Sequence, residues 1–257
     1  MSRKVAVLVA AHDAENSIRD AVESVLASSM PCRVVVVDDG SRIPVSQVLG
    51  TYGGRVEIIR HDDNRGPAAA RNAGLGRILA GDVDYVAIQD AHDLSYADRL
   101  ATQVALFEAN PRLGAVGSWT RHFDANTGAT TQYRKHPTDA ASIRNLLFFD
   151  DGIPHASAMF RANALRTVGG YAESFQGAED YELLRRIATR FELANVPEYL
   201  VACRLSTLGR HRNELLDRLR VQLGYLEPKE WRAWAGALNT VAHFVMPGGM
   251  NLAYARR

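Results

Sequence analysis

The strongest constraint on the fold is a repeated order: an aliphatic run, a short polar segment, then apolar residues at helical spacing. Residues 5–10 (VAVLVA) are continuously apolar, and residues 16–27 place Ile18, Ala21, Val22, Val25 and Leu26 three or four positions apart. The first segment reads as a strand and the second as a helix. The unit recurs. "CRVVVVDDGS" is a strand and turn, residues 45–52 a short helix, "VEIIRHD" a strand, residues 67–80 a helix opened by Pro67, and "YVAIQDAHD" another strand. Strands apolar on both faces need cover on both sides. The pattern therefore predicts an α/β fold with a mostly parallel sheet flanked by helices.

Past this region the spacing predicts a helix over 96–109, a strand over 113–119, a hairpin or loop at "DANTGATTQYRKHPTD", a helix near 140–148 and a strand over 155–160. Residues 180–190 read as a helix with Leu183, Leu184 and Ile187 on one face. The tail from Asn213 reads as helical, with Trp231, Trp234, Val241, Phe244 and Val245 forming an apolar stripe. That stripe suits packing on the core, a dimer partner or a membrane surface. The expected division is a main domain over 1–205, halved near residue 110, and a helical C-terminal extension over 206–257.

Several function classes are disfavoured by composition. A formal net charge of +1 over 257 residues does not suit a protein that coats polyanions. Cys32 and Cys203 stand far apart in apolar contexts, which suggests neither a disulfide framework nor a thiolate metal site. The opening "MSRKVAVLVAAHD" meets Asp13 and Glu15 too soon for a signal peptide, and no apolar run reaches the roughly 20 residues that span a bilayer. The expected location is the cytoplasm, with a peripheral contact on the membrane's inner face as a further possibility.

In open α/β sheets, ligands bind beyond the carboxyl ends of the strands. Here those ends carry His12 and Asp13, Asp38 and Asp39, residues 62–65, and Asp90 to Asp93. The usual phosphate cradles are missing. No G-x-G-x-x-G follows the first strand, there is no P-loop, and "AAHDAENS" stands where sugar-nucleotide pyrophosphorylases carry a glycine-rich basic loop.

Four segments in order, "VVVVDDGS", "NRGPAAARNAG", "QDAHD" and "GAEDYELLRRI", resemble the family 2 glycosyltransferases over about residues 5–204. The resemblance implies the GT-A fold of nucleotide-diphospho-sugar transferases, with a nucleotide-binding half over 1–110 and an acceptor and catalytic half over 111–205. It implies an inverting transfer of one sugar from a nucleotide-diphosphate donor, UDP before GDP or dTDP, to a hydroxyl of a surface glycan or lipid-linked oligosaccharide. Other readings within the fold are a nucleic-acid base or small metabolite as acceptor, or a nucleotide-sugar-binding scaffold without catalysis. Retention of anomeric configuration is also open, because Asp-x-His sites occur in retaining families.

The resemblance also distributes roles. Ala10, His12, Asp38, Asp39, Arg71 and Asp90 line the nucleotide-sugar site, and Asp38 or Asp39 accepts the imide hydrogen of a uracil-type base. The alternative for that turn is purely structural, shaping the chain or capping the next helix. A divalent cation between pyrophosphate and carboxylates falls to Asp90, His92 and Asp93, with the true ligands among the three undecided. His92 stands where the family usually has aspartate, and an imidazole ligand favours Mn²⁺ over Mg²⁺. Asp180 is the expected general base, with Glu179 as neighbour or substitute. Arg204 matches a family arginine near the end of the last core strand. Ser206 stands where the family has histidine, with His211 as a substitute from the loop. His155 could touch the sugar or acceptor, or simply be satisfied by backbone.

Overall fold

The computed structural model describes residues 3–175, 177–205, 212–225 and 230–245. Strands β1 (Val5–Ala11), β2 (Cys32–Asp39), β3 (Val56–His61) and β4 (Tyr85–Asp90) lie side by side in the order β3-β2-β1-β4, all parallel. Valine dominates β1 and β2, and its branched side chain suits a pleated surface buried on both faces. Residues alternate between two cores. Leu8, Val35 and Val37 face one layer, with Ala70, Leu75 and Ile78 of α3 (Pro67–Leu79). Val7, Val9, Val34 and Val36 face the other, with Ile18 and Val22 of α1 (Ile18–Leu26) and Leu100 and Val104 of α4 (Arg99–Ala109).

Beyond β4 the sheet becomes mixed. The short β8 (Met159–Arg161) runs antiparallel to β4 and to β6 (Leu113–Phe123), while β9 (Glu192–Arg204) runs parallel to β6. The two-residue β5 (Leu94–Ser95) closes the order antiparallel to β9. A hairpin joins β6 to β7 (Thr130–Arg134), its turn held by the Asp124 carboxylate, which accepts the N–H groups of Asn126 and Thr127 at 2.9 Å each. Of the two readings of that segment, the hairpin is the one formed.

The expected strand over 155–160 is mostly something else. His155–Ser157 form a 3₁₀ turn, with Ser157 N–H on the Pro154 carbonyl at 2.9 Å, and only Met159 and Phe160 of that span join the sheet. The short helix α2 (Val45–Leu49) follows β2. On the later half of the chain are α5 (Ala140–Leu146), α6 (Ala162–Val168) and α7 (Glu179–Ala188).

The C-terminal helices α8 (Arg212–Gly224) and α9 (Trp231–Val245) pack against this body. Arg218 of α8 is 2% exposed and meets Asp150 at 3.3 Å and Asp151 at 2.9 Å. Of the apolar stripe expected on the tail, Trp231, Trp234 and Val241 do not supply the packing face. Ala233, Ala237 and Thr240 are buried, whereas Trp231 is 64% exposed and Trp234 49%. The close approach explains why: any Cβ at Gly236 would overlap the Phe148 carbonyl, so α9 docks by its smallest residues. No described helix is long and apolar enough to cross a membrane.

Candidate active site

At the carboxyl end of β2, Asp38 is fully buried and its carboxylate is consumed locally. It accepts Ser41 N–H at 3.0 Å and Val45 N–H at 2.9 Å, and pairs with Arg60. These bonds hold its pKa low against the upward push of burial. It thus closes the turn and starts α2, which is the structural alternative for this position. Asp39 is used differently. Its Oδ1 accepts from Arg65 N–H at 3.1 Å and meets His61 Nδ1 at 2.7 Å, and its Oδ2 accepts from Gly66 N–H at 2.9 Å. A carboxylate has about four acceptor positions, so Oδ2 retains one. Directly after them Gly40, at φ 67°, lets the 63–64 backbone pass where any side chain would collide.

His12 is anchored beside this turn by Nδ1 on the Asp39 carbonyl at 2.8 Å. Asp13 follows at φ 47° and accepts Arg42 N–H at 2.8 Å, so its carboxylate ties the two strand ends together. Ala10 pairs with Val37 on one side and Asp90 on the other, so its small side chain separates the two carboxylate-bearing strand ends.

The densest cluster lies after β4. Asp90, His92 and Asp93 bring one ligand atom each within 4.8 Å of one another. For a cation bonded to oxygen and nitrogen at roughly 2.0–2.3 Å, ligands sit about 3–4.5 Å apart, so this set fits a divalent ion. His92 is half-exposed, while Asp93 is 2% exposed and accepts Arg204 N–H at 2.8 Å. Burial, then repulsion from Asp90, pushes the Asp93 carboxyl up to about 6. Asp90 moves the opposite way. Burial would raise it, but its surroundings, His155 and the Arg71 guanidinium foremost, outweigh that and hold it low.

Arg71 is the hub between distant segments. Helix α3 points it at Glu179 Oε1, 2.6 Å away, and its other terminal nitrogen lies 3.6 Å from Asp90 Oδ1. Its guanidinium also stands 5.5 Å from the Tyr171 ring centroid. Glu179, 6% exposed at the first turn of α7, has its second oxygen buried without a partner. Burial and the neighbouring Asp180 raise its pKa, opposed by Arg71. Asp180 is more open, and its Oδ1 accepts Tyr181 N–H at 2.7 Å. Its charge acts on Arg71, Tyr171 and His155.

Two of the groups assembled here were not singled out by the motifs. Tyr171 receives His155 Nε2 at 3.0 Å, and burial, then Arg71, drives the imidazole down to about 4, so it is neutral at physiological pH. Arg99 is fully buried beneath the cluster, donating to Gln89 Oε1 at 3.0 Å and the Ile88 carbonyl at 2.8 Å. Gln89 in turn donates to the Asp93 carbonyl at 2.7 Å. The visible sequence signal was only that an arginine and a glutamine recur four residues apart on α4. Arg204 is where the family pattern puts it, donating Nε–H to the His92 carbonyl at 3.1 Å. Ser206 and His211 lie outside the described residues.

The sequence and the fold are shared with known proteins. The model of glycosyl transferase family 2 matches residues 6–169, well over half of the chain. The chain belongs to glycosyl transferase family 2. Among family 2 relatives, the succinoglycan biosynthesis protein ExoU of Rhizobium meliloti is 35% identical over 235 residues, covering 84% of this chain and 67% of ExoU. The chain spans 44% of the length of the pre-mycofactocin glycosyltransferase of Mycobacterium tuberculosis. Among solved structures, S. aureus TarS in complex with UDP-GlcNAc superposes with a TM-score of 0.72 at 16% identity, covering 94% of this chain and 73% of that one. The mannosyltransferase PcManGT of Pyrobaculum calidifontis, in complex with GDP-Man and Mn²⁺, gives 0.66 at 19% identity, covering 95% and 70%. The family 2 chain therefore has the GT-A fold of these glycosyltransferases and is itself a glycosyltransferase.

Proposed function

We propose that this enzyme moves a single sugar from a nucleotide-diphosphate donor, UDP first, to a hydroxyl of a glycan or lipid-linked acceptor, with inversion at the anomeric carbon. The observation that carries the reading is the meeting of three segments through Arg71 of α3, which faces Asp90, clustered with His92 and Asp93 after β4, and pairs with Glu179, next to Asp180, at the start of α7. A related protein named for succinoglycan biosynthesis and a neighbour holding UDP-GlcNAc support the choice of acceptor and donor classes.

The chemistry follows from charge. Asp39, with one acceptor position remaining on Oδ2, suits the imide N–H of uracil, and His12 beside it offers a ring to stack on the base. Arg71 supplies a guanidinium whose five donors match pyrophosphate oxygens. Asp90, His92 and Asp93 would hold a divalent cation, Mn²⁺ before Mg²⁺, which neutralises the departing diphosphate when bound.

In the transfer, the acceptor oxygen forms the new bond to the anomeric carbon. The bond to the donor oxygen breaks, and its electron pair leaves with the nucleoside diphosphate. The acceptor's proton goes to Asp180. That residue is preferred over Glu179, whose carboxylate is already bound by Arg71 and shut away from solvent. Nucleotide sugars place the reaction in the cytoplasm.

The test is turnover of UDP-sugars with and without Mn²⁺, with the product anomer read by proton NMR. Manganese-dependent release of UDP that disappears in Asp90→Ala, with inverted product, is expected. Absence of any nucleotide-sugar turnover would overturn the enzymatic reading, and a retained anomer would overturn inversion.

A further inference from the structure

The β6–β7 hairpin and the adjoining end of β9 carry an unusual surface for a sheet edge. Trp119 of β6 and Tyr199 of β9 have ring centroids 5.3 Å apart, and Tyr133 of β7 sets its ring edge-on to Tyr199 at 5.0 Å. Trp119 is held in place by Nε1–H donation to the His136 carbonyl at 3.0 Å. Tyr133 is 59% exposed. Three aromatic rings therefore form a fixed ledge with one ring open to solvent.

Cations accompany the rings. Lys135 Nζ lies 4.9 Å from the Trp119 centroid. Arg121 stands 5.8 Å from Tyr96 and 5.7 Å from Phe123, and Arg204 stands 5.4 Å from Phe123. Among the described residues, none of Lys135, Arg121 and Arg204 forms an ion pair with a carboxylate. Arg121 Nε is buried with no acceptor at all. Most of the other surface arginines of β1–β3 and the adjoining helices are paired, as Arg33 with Glu57 and Arg42 with Glu15 are.

The ledge is continuous with the active site. Phe123 pairs with Arg204 and Trp119 pairs with Tyr199 along the same two strands. Four residues of strand separate them, about 13 Å at the usual rise. At the near end, Arg204 bonds Asp93 through its backbone N–H and His92 through its side chain. A chain lying on the ledge would have its end delivered to the metal-ligand cluster.

We propose that this ledge binds the glycan acceptor, and that the acceptor is an anionic glycan several sugars long. The proposal rests on the glycosyltransferase reading above and specifies its acceptor. A sugar ring's C–H face packs on an aromatic face, which is what Tyr133 offers, while carboxylate or phosphate substituents on the glycan meet Lys135 and Arg121. A lipid surface is the rival occupant for rings and cations. It is disfavoured by β7 itself, whose exposed residues Thr130, Thr131, Gln132, Tyr133 and Arg134 include no aliphatic side chain to enter acyl chains.

The test uses the full chain and three probes: oligogalacturonate, maltoheptaose and phosphatidylglycerol vesicles. Binding is measured by calorimetry or co-sedimentation, and thermal stabilisation by UDP is read in parallel. Oligogalacturonate is expected to bind, more weakly as NaCl rises. Its Kd should increase about fivefold or more in Tyr133→Ala and in Lys135→Ala, and stay near wild type in Tyr133→Phe, which keeps the ring. The UDP response should be unchanged in all three variants. No binding of oligogalacturonate, equal binding of maltoheptaose, indifference to Tyr133→Ala, or binding of vesicles in its place would each overturn the proposal. Loss of the UDP response in the wild type would instead overturn the donor assignment on which it rests.

Discussion

Arg71 and Glu179 are 108 positions apart in the chain, and their side chains meet at 2.6 Å. The same guanidinium faces Asp90, so one residue of α3 ties together the cluster after β4 and the start of α7. Arginine suits this because its planar fork engages two carboxylates at once, which the single ammonium of lysine does not. Replacement by lysine or methionine is therefore expected to weaken UDP binding by about tenfold or more, consistent with loss of one or two charge-assisted hydrogen bonds. In Arg71→Met, Glu179 loses the counter-charge that opposes the upward shift of its pKa. Thermal shift with UDP and with UDP-sugars is the measurement; a methionine variant with wild-type UDP response would remove Arg71 from the nucleotide site.

The two acids at the start of α7 separate by function. Asp180→Asn is expected to lower kcat for transfer by about 10²–10⁴, the usual worth of a positioned general base, with UDP-sugar binding retained. Glu179→Gln should show the opposite emphasis, raising KM for the donor through Arg71 and affecting kcat less. Steady-state kinetics on both variants distinguish them. Equal kcat in Asp180→Asn and wild type would shift the base to another group.

Metal preference hangs on His92. Asp at this position offers oxygen in place of nitrogen, so His92→Asp is expected to remain active and to raise the ratio of magnesium-supported to manganese-supported turnover. If His92→Ala keeps the activity and metal dependence of the wild type, His92 is no ligand and Asp93 with Asp90 forms the site.

Arg99 has a structural role that activity assays alone would misread. It is wholly buried, its pKa is lowered by burial to about 10, and it meets only neutral acceptors: Gln89, Gln103 and the carbonyls of Ile88 and Ala158. Arg99→Met removes the buried charge but strands those acceptors, at about 1–3 kcal/mol for each one left unpaired. Urea unfolding should show a loss of that order. Because Gln89, which donates to the Asp93 carbonyl, then loses its Arg99 partner, the Mn²⁺ concentration for half-maximal activity should also rise. A variant as stable as wild type would show that water or neighbouring groups replace the arginine.

The pH dependence of stability has a definite sign at His136. Burial, then the charge of Arg134, lowers its pKa from the usual 6.5 to about 4. The unfolded chain binds a proton below about 6.5 while the native state stays neutral until about 4, so stability is lost as pH falls through that window. Between pH 7 and pH 5 the loss from this residue is about 2 kcal/mol. Urea unfolding at the two pH values should show a smaller difference in His136→Gln than in wild type. An identical difference would assign the pH dependence to other groups, His155 first.

Much of the site was readable because its residues sit at strand ends. Once "VVVVDD" and "YVAIQD" are strands of one parallel sheet, Asp38, Asp39 and Asp90 must arrive at the same edge, since parallel strands share their direction. That His92 joins the acids after β4 in one cluster was equally plain. Less legible was which of two adjacent acids does what. Asp38 and Asp39 are neighbours in sequence, yet alternation sends one into the turn that starts α2 and the other toward His61 and Gly66. Which face of the C-terminal helix packs on the core was illegible for a related reason. Periodicity identifies an apolar face but not whether a closer-fitting small face exists, and the packing of Gly236 on Phe148 chose the small one.

The amino-acid sequence by itself determined the parallel half of the sheet, the family, and the acids that reach its carboxyl edge, because all three rest on local periodicity and short motifs. Tertiary structure alone decided the mixed order β8-β6-β9, the joining of Arg71 to Glu179, the buried Arg99 beneath the cluster of Asp90, His92 and Asp93, and the ring ledge on the hairpin. Those features depend on contacts between residues tens to more than a hundred positions apart. Such contacts are set by how elements pack, which no local spacing records.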